Sequence, residues 1–267
     1  MFRDRGPLRS FFLETRGYVE TLQDRVGLRV VPGEIHRLVD EPRNRIVICI
    51  VQRKLPPDAI GHKAIHRIPP GDVVRLVRAV LSETAKVFAF NRQHRGELEV
   101  GFDAQISNWA ILGFDPASPA YPRESHLAYL DTSTPFLRRD GKERLDPELF
   151  LRSAPSFLVW ILRLLFLQDV MTRYYDFRKV ALDIAANFYK EQRADLVPKL
   201  VEAINDFFGR ELPEGGAKRM SVEEVRSYYR EDALIWRLYL AFRRIDRSLR
   251  TSMGGVYPYI LPEKVIR

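Results

Sequence analysis

An α+β fold, predominantly helical, is what this sequence predicts, and three observations predict it. Apolar residues recur at helical spacing over most of the chain. Two β-branched runs, at 35–39 and 46–51, flank a polar segment that contains Pro42. Two further short apolar runs, at 109–112 and 127–130, follow a long amphipathic stretch and precede many more helical ones.

The elements follow in order. Residues 8–26 carry Leu8, Phe11, Phe12, Tyr18, Val19 and Leu22 at roughly helical spacing, and Gly27 is a plausible C-terminal cap. The runs at 35–39 and 46–51 around Asp40-Glu41-Pro42-Arg43-Asn44 predict a hairpin. Its second strand, Ile46-Val47-Ile48-Cys49-Ile50-Val51, is apolar throughout and is expected to be buried on both faces. Residues 53–70 read as loop, with Pro56-Pro57 and Pro69-Pro70 at either end. Asp72 opens a long helix to about Asn91, with Val73, Leu76, Val77, Val80, Leu81, Val87 and Phe88 on one face. The segment 97–131 predicts short strands and a loop; beyond Asp131 the chain is expected to be wholly helical. Asp146-Pro147-Glu148 is a helix start, and further helices are predicted at 155–173, 177–190 and 195–208. After a Gly- and Pro-containing linker at 209–220, Ser221-Val222-Glu223-Glu224 forms a capping box for a last helix running towards Leu249.

Composition bounds the function. The 267 residues are 46% hydrophobic and 29% charged, ordinary globular material for one large domain or two modest ones. A single cysteine, Cys49, allows no internal disulfide, and Met-Phe-Arg-Asp-Arg-Gly-Pro lacks a signal peptide's apolar region, so a cytoplasmic, reducing compartment is expected. The most apolar stretch, Phe157 to Val170, is interrupted by Arg163 and Gln168. It falls short of the roughly 20 residues of a bilayer span and reads as a buried helix. The net charge of +8 suits nucleic acid, anionic membrane or phosphorylated ligands, and equally a solvated basic surface, because the basic residues are scattered.

The stretch that can carry chemistry is Gly101-Phe102-Asp103-Ala104-Gln105-Ile106-Ser107-Asn108, an Asp-x-x-x-x-Asn pattern directly before a short apolar strand. A second strand follows and ends in Asp131. Phosphoryl transfer needs positioning and charge neutralisation more than covalent chemistry. One carboxylate orients the hydroxyl nucleophile and accepts its proton, while a carboxamide and a second carboxylate offer hard oxygen ligands to Mg²⁺. A loop followed by a hairpin can bring all three to one cavity.

This arrangement resembles the catalytic loop and metal-binding strand of the protein-kinase-like superfamily, closest to its aminoglycoside phosphotransferase and choline kinase branch. The resemblance covers roughly residues 8–208 in element order. It implies a kinase-like C-lobe at 56–267, with a catalytic-loop hairpin at 97–131, behind a reduced N-lobe at 1–55 made of one helix and a β-hairpin. It further implies Asp103 as the catalytic carboxylate, Asn108 and Asp131 as metal ligands, Mg²⁺ and ATP as ligands, and a small-molecule hydroxyl as acceptor. The sequence departs from the family pattern in four places. Gly101-Phe102 stands where His-Gly is usual, and Thr132-Ser133-Thr134-Pro135 follows Asp131. No Gly-rich loop precedes the first helix, and no lysine precedes Lys54, which leaves Arg3, Arg5 and Arg9 as candidates for the phosphate-clamping charge. Tyr129 to Pro135 and Asn187 to Gln192 also resemble an uncharacterised bacterial family of this superfamily.

Each residue also has a plainer role open to it. Asp103 and Asn108 can cap a turn, and Asp131 can do the same with Thr132 and Ser133. Glu14 and Glu20 would be the partners of a strand lysine; without one, a solvated helix face is expected for both. His62 and His66 have i, i+4 spacing but no further ligand nearby, so structural or solvated histidines are expected. Arg173-Tyr174-Tyr175-Asp176-Phe177-Arg178-Lys179 reads as a helix junction with aromatic anchors, and Arg243, Arg244 and Arg247 around Asp246 as an exposed ion-paired face. The functional expectation is an ATP-dependent, kinase-like phosphotransferase. Its alternatives are a degenerate pseudokinase acting as a binding scaffold and, more distantly, a basic nucleic-acid-binding helical protein. Nucleic acid is therefore not the expected partner.

Overall fold

The computed structural model describes residues 5–40, 45–122, 126–145, 172–211, 218–257 and 261. The predicted turn at 41–44, the helix start at Asp146, most of the 155–173 helix with the apolar stretch Phe157 to Val170, part of the 209–220 linker, and Arg3 with the Arg5 and Arg9 side chains lie outside what it describes. The architecture is α+β and predominantly helical, as the sequence predicts. The chain divides into two compact units, 1–145 and 146–267.

In the first unit, helix α1 (Arg5–Glu20) widens into a π turn at Thr21–Arg25 and stops where Gly27 takes φ +80°, the left-handed cap that glycine accepts without cost. Strands β1 (Gly33–Asp40) and β2 (Arg45–Gln52) pair antiparallel from Gly33 opposite Gln52 to Asp40 opposite Arg45. The predicted burial of β2 on both faces does not hold. Ile46 to Ile50 are only partly covered and Val51 is 54% exposed, because the sheet has two strands and lacks a layer on each face.

The segment read as loop contains a 3₁₀ turn at Pro57–Ala59 and a short helix α2 (Gly61–Ala64). A single turn of helix is too short to stand on propensity; burial of Ala59, Ala64, Ile65 and Ile68 holds it. Helix α3 (Pro70–Gln93) buries the predicted stripe from Val73 to Phe88. It begins two residues before Asp72, which instead pairs with Arg75 at 2.6 Å and accepts a hydrogen bond from the Tyr121 backbone N–H at 2.8 Å.

Strand β3 (Leu98–Val100) follows, then β4 (Trp109–Leu112) and β5 (His126–Tyr129), which pair antiparallel with Trp109 opposite Tyr129. Beyond Asp131 the chain is not wholly helical. Strands β6 (Leu137–Arg139) and β7 (Lys142–Glu143) form a hairpin, and β6 pairs with β3. Asp140-Gly141, with φ of 51° and 70°, makes the two-residue turn. That dipeptide is a local hairpin signal, but the flanking strands are too short to show an alternating pattern beside it.

Asn91 ties this sheet to α3. Its Nδ2 donates to the Val100 carbonyl at 2.7 Å and its Oδ1 accepts from the Val100 N–H at 2.8 Å, all buried. Asn91→Ala strands both backbone groups, so unfolding free energy should fall by about 1–3 kcal/mol. Urea denaturation that leaves the midpoint unmoved would remove Asn91 as the clasp.

In the second unit, Asp176 caps α4 (Phe177–Lys190) by accepting from the Lys179 N–H at 3.1 Å. A 3₁₀ turn at Ala194–Leu196 leads into α5 (Val197–Glu211). The predicted capping box opens α6 (Val222–Ser252): the Ser221 hydroxyl accepts from the Glu224 N–H at 3.1 Å. The Arg173–Lys179 cluster is a helix junction. Arg173 donates to the Tyr228 hydroxyl at 3.0 Å, Arg178 forks onto Glu224 at 2.8 and 2.7 Å, and Phe177 is buried against Phe208. Asp246 pairs with Arg250 at 3.0 Å, while Arg243 donates to the Tyr257 hydroxyl at 3.1 Å, so the basic run is engaged differently from the expected face. Among the described residues no helix is long and apolar enough to cross a membrane.

Candidate functional site

The site forms where the loop after β3 meets the end of β5, and backbone register builds it. Asn108 precedes β4 at the close of a 3₁₀ turn, Ile106–Asn108. Its carbonyl accepts from the Leu130 N–H at 2.8 Å, continuing the β4–β5 ladder by one residue. Asp131 is the next residue, so Asn108 pairs with the residue that precedes Asp131.

The end of β5 is held from two more sides. Residues 29–31 run beside it: the Tyr129 N–H donates to the Arg29 carbonyl at 2.8 Å, and the Val31 N–H to the Tyr129 carbonyl at 2.9 Å. From β2, the Gln52 amide donates to the Leu130 carbonyl at 2.9 Å. The two residues before Asp131 are therefore held through their backbone, and Asp131 itself is partly covered.

The loop itself is braced by two buried tyrosines. Tyr129 donates to the Asp103 carbonyl at 3.0 Å and Tyr18, on α1, to the Gly101 carbonyl at 3.2 Å. Burial pushes both phenols far above their ordinary range, and the negative charges of Asp131 and Asp103 push them in the same direction. Both carboxylates thus act in the same direction on the same pair of phenols. Phe102, Trp109 and Tyr129 form an aromatic cluster beneath the loop, with ring centroids 4.5, 5.3 and 5.9 Å apart, and Trp109 Nε1 donates to the Ala104 carbonyl at 3.3 Å. Gly61 in α2 packs so closely on the 3₁₀ turn that a Cβ there would run into the Ile106 carbonyl oxygen.

The turn-capping roles are present alongside. Asp103 Oδ1 accepts from the Gln105 N–H at 3.1 Å, and Asp131 Oδ1 accepts from both the Ser133 N–H at 3.0 Å and its hydroxyl at 2.7 Å. Asn108 Nδ2 donates to the Asp103 carbonyl at 3.1 Å. These bonds orient rather than consume the groups: among the described residues, Asn108 Oδ1 and Asp131 Oδ2 accept no hydrogen bond. A carboxylate and a carboxamide oxygen are hard donors of the kind a small hard cation prefers, so Asn108 and Asp131 fit Mg²⁺ in chemical type. Among the described residues no group of three or more His, Cys, Asp or Glu is arranged to hold a metal. His62 and His66 do not supply one: His62 lies in α2, half-buried, and His66 is exposed beyond it.

Beside the site, a cavity of about 490 Å³ opens between α1 and the β1–β2 hairpin and reaches Thr132, the neighbour of Asp131. Its walls are largely apolar, with Phe12, Val19, Val31, Ile35 and Ile50, and Arg16 and Glu20 add charge. Its size is within the range of small-molecule sites. Glu20 pairs with Arg16 at 2.6 Å on the exposed side of α1. Glu14 departs from the expected solvated face. It is 8% exposed and accepts from Arg144 at 3.1 Å, a partner that sequence spacing could not suggest across 130 residues. Tyr18 and Tyr129 were likewise invisible as loop braces, since nothing local distinguishes them from core aromatics.

A family model described as "Family of unknown function (DUF6206)" matches residues 2–250. No curated protein and no solved structure matches the chain.

Proposed function

The chain belongs to DUF6206, a family whose function is unknown, so its chemistry has to be read from its own residues, and we propose a kinase-like phosphotransferase site in the first unit. The observation that supports the reading is the hydrogen bond from the Leu130 N–H to the Asn108 carbonyl, which pairs Asn108 with the residue before Asp131 in a hairpin preceded by the loop that carries Asp103. In this reading Asn108 and Asp131 hold Mg²⁺, which when bound supplies neutralising charge to a nucleotide's phosphates. Asp103 orients the acceptor hydroxyl and takes its proton. The hydroxyl oxygen bonds to the γ-phosphorus of ATP as the bond to the β–γ bridging oxygen breaks, and ADP leaves with that electron pair. The adjoining cavity between α1 and the hairpin offers room for a bound small molecule.

A second reading, a scaffold without turnover, has one specific observation in its favour. Glu14, the natural partner for a phosphate-clamping lysine on this helix, is already taken by Arg144.

Mg²⁺-dependent nucleotide binding tests the site. A ligand that binds only the folded state stabilises it by about 2.7 kcal/mol at a hundredfold excess over Kd. The melting temperature should therefore rise with Mg-ATP and not with ATP plus chelator. An unchanged melting temperature at millimolar Mg-ATP would remove the nucleotide from the proposal.

A further inference from the structure

From Leu234 onward α6 carries an apolar stripe that lies exposed among the described residues. Leu234, Leu238, Ile245 and Leu249 are 53, 49, 49 and 53% exposed. At about 100° per residue they fall within an arc of about 60° on one face of the helix. The face that packs into the unit is a different one, marked by Val225, Ala233 and Leu240, which are 0, 4 and 8% exposed. Past the helix end, Met253 and Val256 are 85 and 79% exposed. A run of exposed large apolar residues along several turns, rather than single scattered ones, marks an interaction surface.

Charge decides what kind of surface covers it. Residues 234–252 contain five arginines, at 237, 243, 244, 247 and 250, against one acid, Asp246. Arg237 and Arg244 border the stripe on one side, while Asp246, paired with Arg250, lies beyond its other edge. A second copy of this chain docking through the same stripe would set arginines against arginines. A partner that offers both an apolar interior and a negatively charged rim matches both features at once. That is the chemistry of an anionic bilayer, where leucine and isoleucine sink below the headgroups and the arginine stems reach back to the phosphates.

We propose that α6 docks the protein on anionic lipid membranes, lying in the interface plane with Leu234, Leu238, Ile245 and Leu249 inserted and Arg237 and Arg244 at headgroup level. This is peripheral attachment, distinct from spanning, and it does not depend on the phosphotransferase reading.

Co-sedimentation of the full-length protein with vesicles tests it, using pure phosphatidylcholine and phosphatidylcholine mixed with phosphatidylserine. Binding is expected to the anionic vesicles alone and to weaken at high salt. Leu238→Ser with Ile245→Ser should reduce that binding by on the order of tenfold or more, and Arg237→Ala with Arg244→Ala by on the order of tenfold. All four side chains are exposed, so the variants should fold, and circular dichroism checks this. Three results overturn the proposal. One is a failure to bind anionic vesicles. Another is binding that survives Leu238→Ser with Ile245→Ser, which would assign it to the overall positive charge. The third is a concentration-dependent dimer, abolished by the same two substitutions, in place of vesicle binding.

Discussion

Asp103→Asn is expected to lower phosphoryl transfer by on the order of 10²–10⁴ while leaving Mg-ATP affinity nearly unchanged. Asparagine keeps the shape and keeps an oxygen to accept from the Gln105 N–H, so the turn at 103–105 survives. What it loses is the ability to take the hydroxyl proton. Asp131→Asn is the contrasting variant. It retains an acceptor for Ser133 yet removes the negative charge of the one carboxylate assigned to the metal, so nucleotide binding and turnover should fall together. Measuring ATP hydrolysis and Mg-ATP affinity in the wild type and both variants separates the outcomes. Undiminished turnover in Asp103→Asn means another group is the base. A wild type that binds Mg-ATP without consuming it leaves the scaffold reading in possession of the site.

The second large effect is structural. Trp109 is 1% exposed, packs edge-on to both Phe102 and Tyr129, and donates from its indole to the Ala104 carbonyl within the loop. Removing so large a buried side chain leaves a cavity as well as losing its transfer free energy, so Trp109→Ala should cost about 3–5 kcal/mol. Trp109→Phe keeps much of the ring contact and should cost clearly less. The loop should also loosen, because Ala104 loses its partner and Tyr129 loses a packing surface. Urea midpoints for the two variants, with hydrogen exchange at 101–108, measure both consequences. Equal midpoints for Ala and Phe would show that the aromatic cluster does not support this loop.

Much of the architecture was legible in the sequence because it depends on local rules. The stripe of α3 follows the helical repeat, the Ser221 cap follows side-chain oxygen chemistry, and the stop at Gly27 follows glycine's freedom at positive φ. The β1–β2 hairpin and the β4–β5 strands were likewise readable from β-branched and apolar runs. The spacing of Asp103 and Asn108, and the strand leading to Asp131, marked the candidate residues without showing that they meet.

Tertiary structure decided the register: Trp109 opposite Tyr129 carries Asn108 to Leu130, the residue before Asp131. It also decided burial, which composition cannot assign. The apolar strand β2 stays half-covered because its sheet ends at two strands, whereas Glu14 is buried because Arg144 arrives from 130 residues away to neutralise it. The β6–β7 hairpin lies between these cases. Its Asp140-Gly141 turn is written locally, but strands of three and two residues persist only because β3 was there to pair with β6.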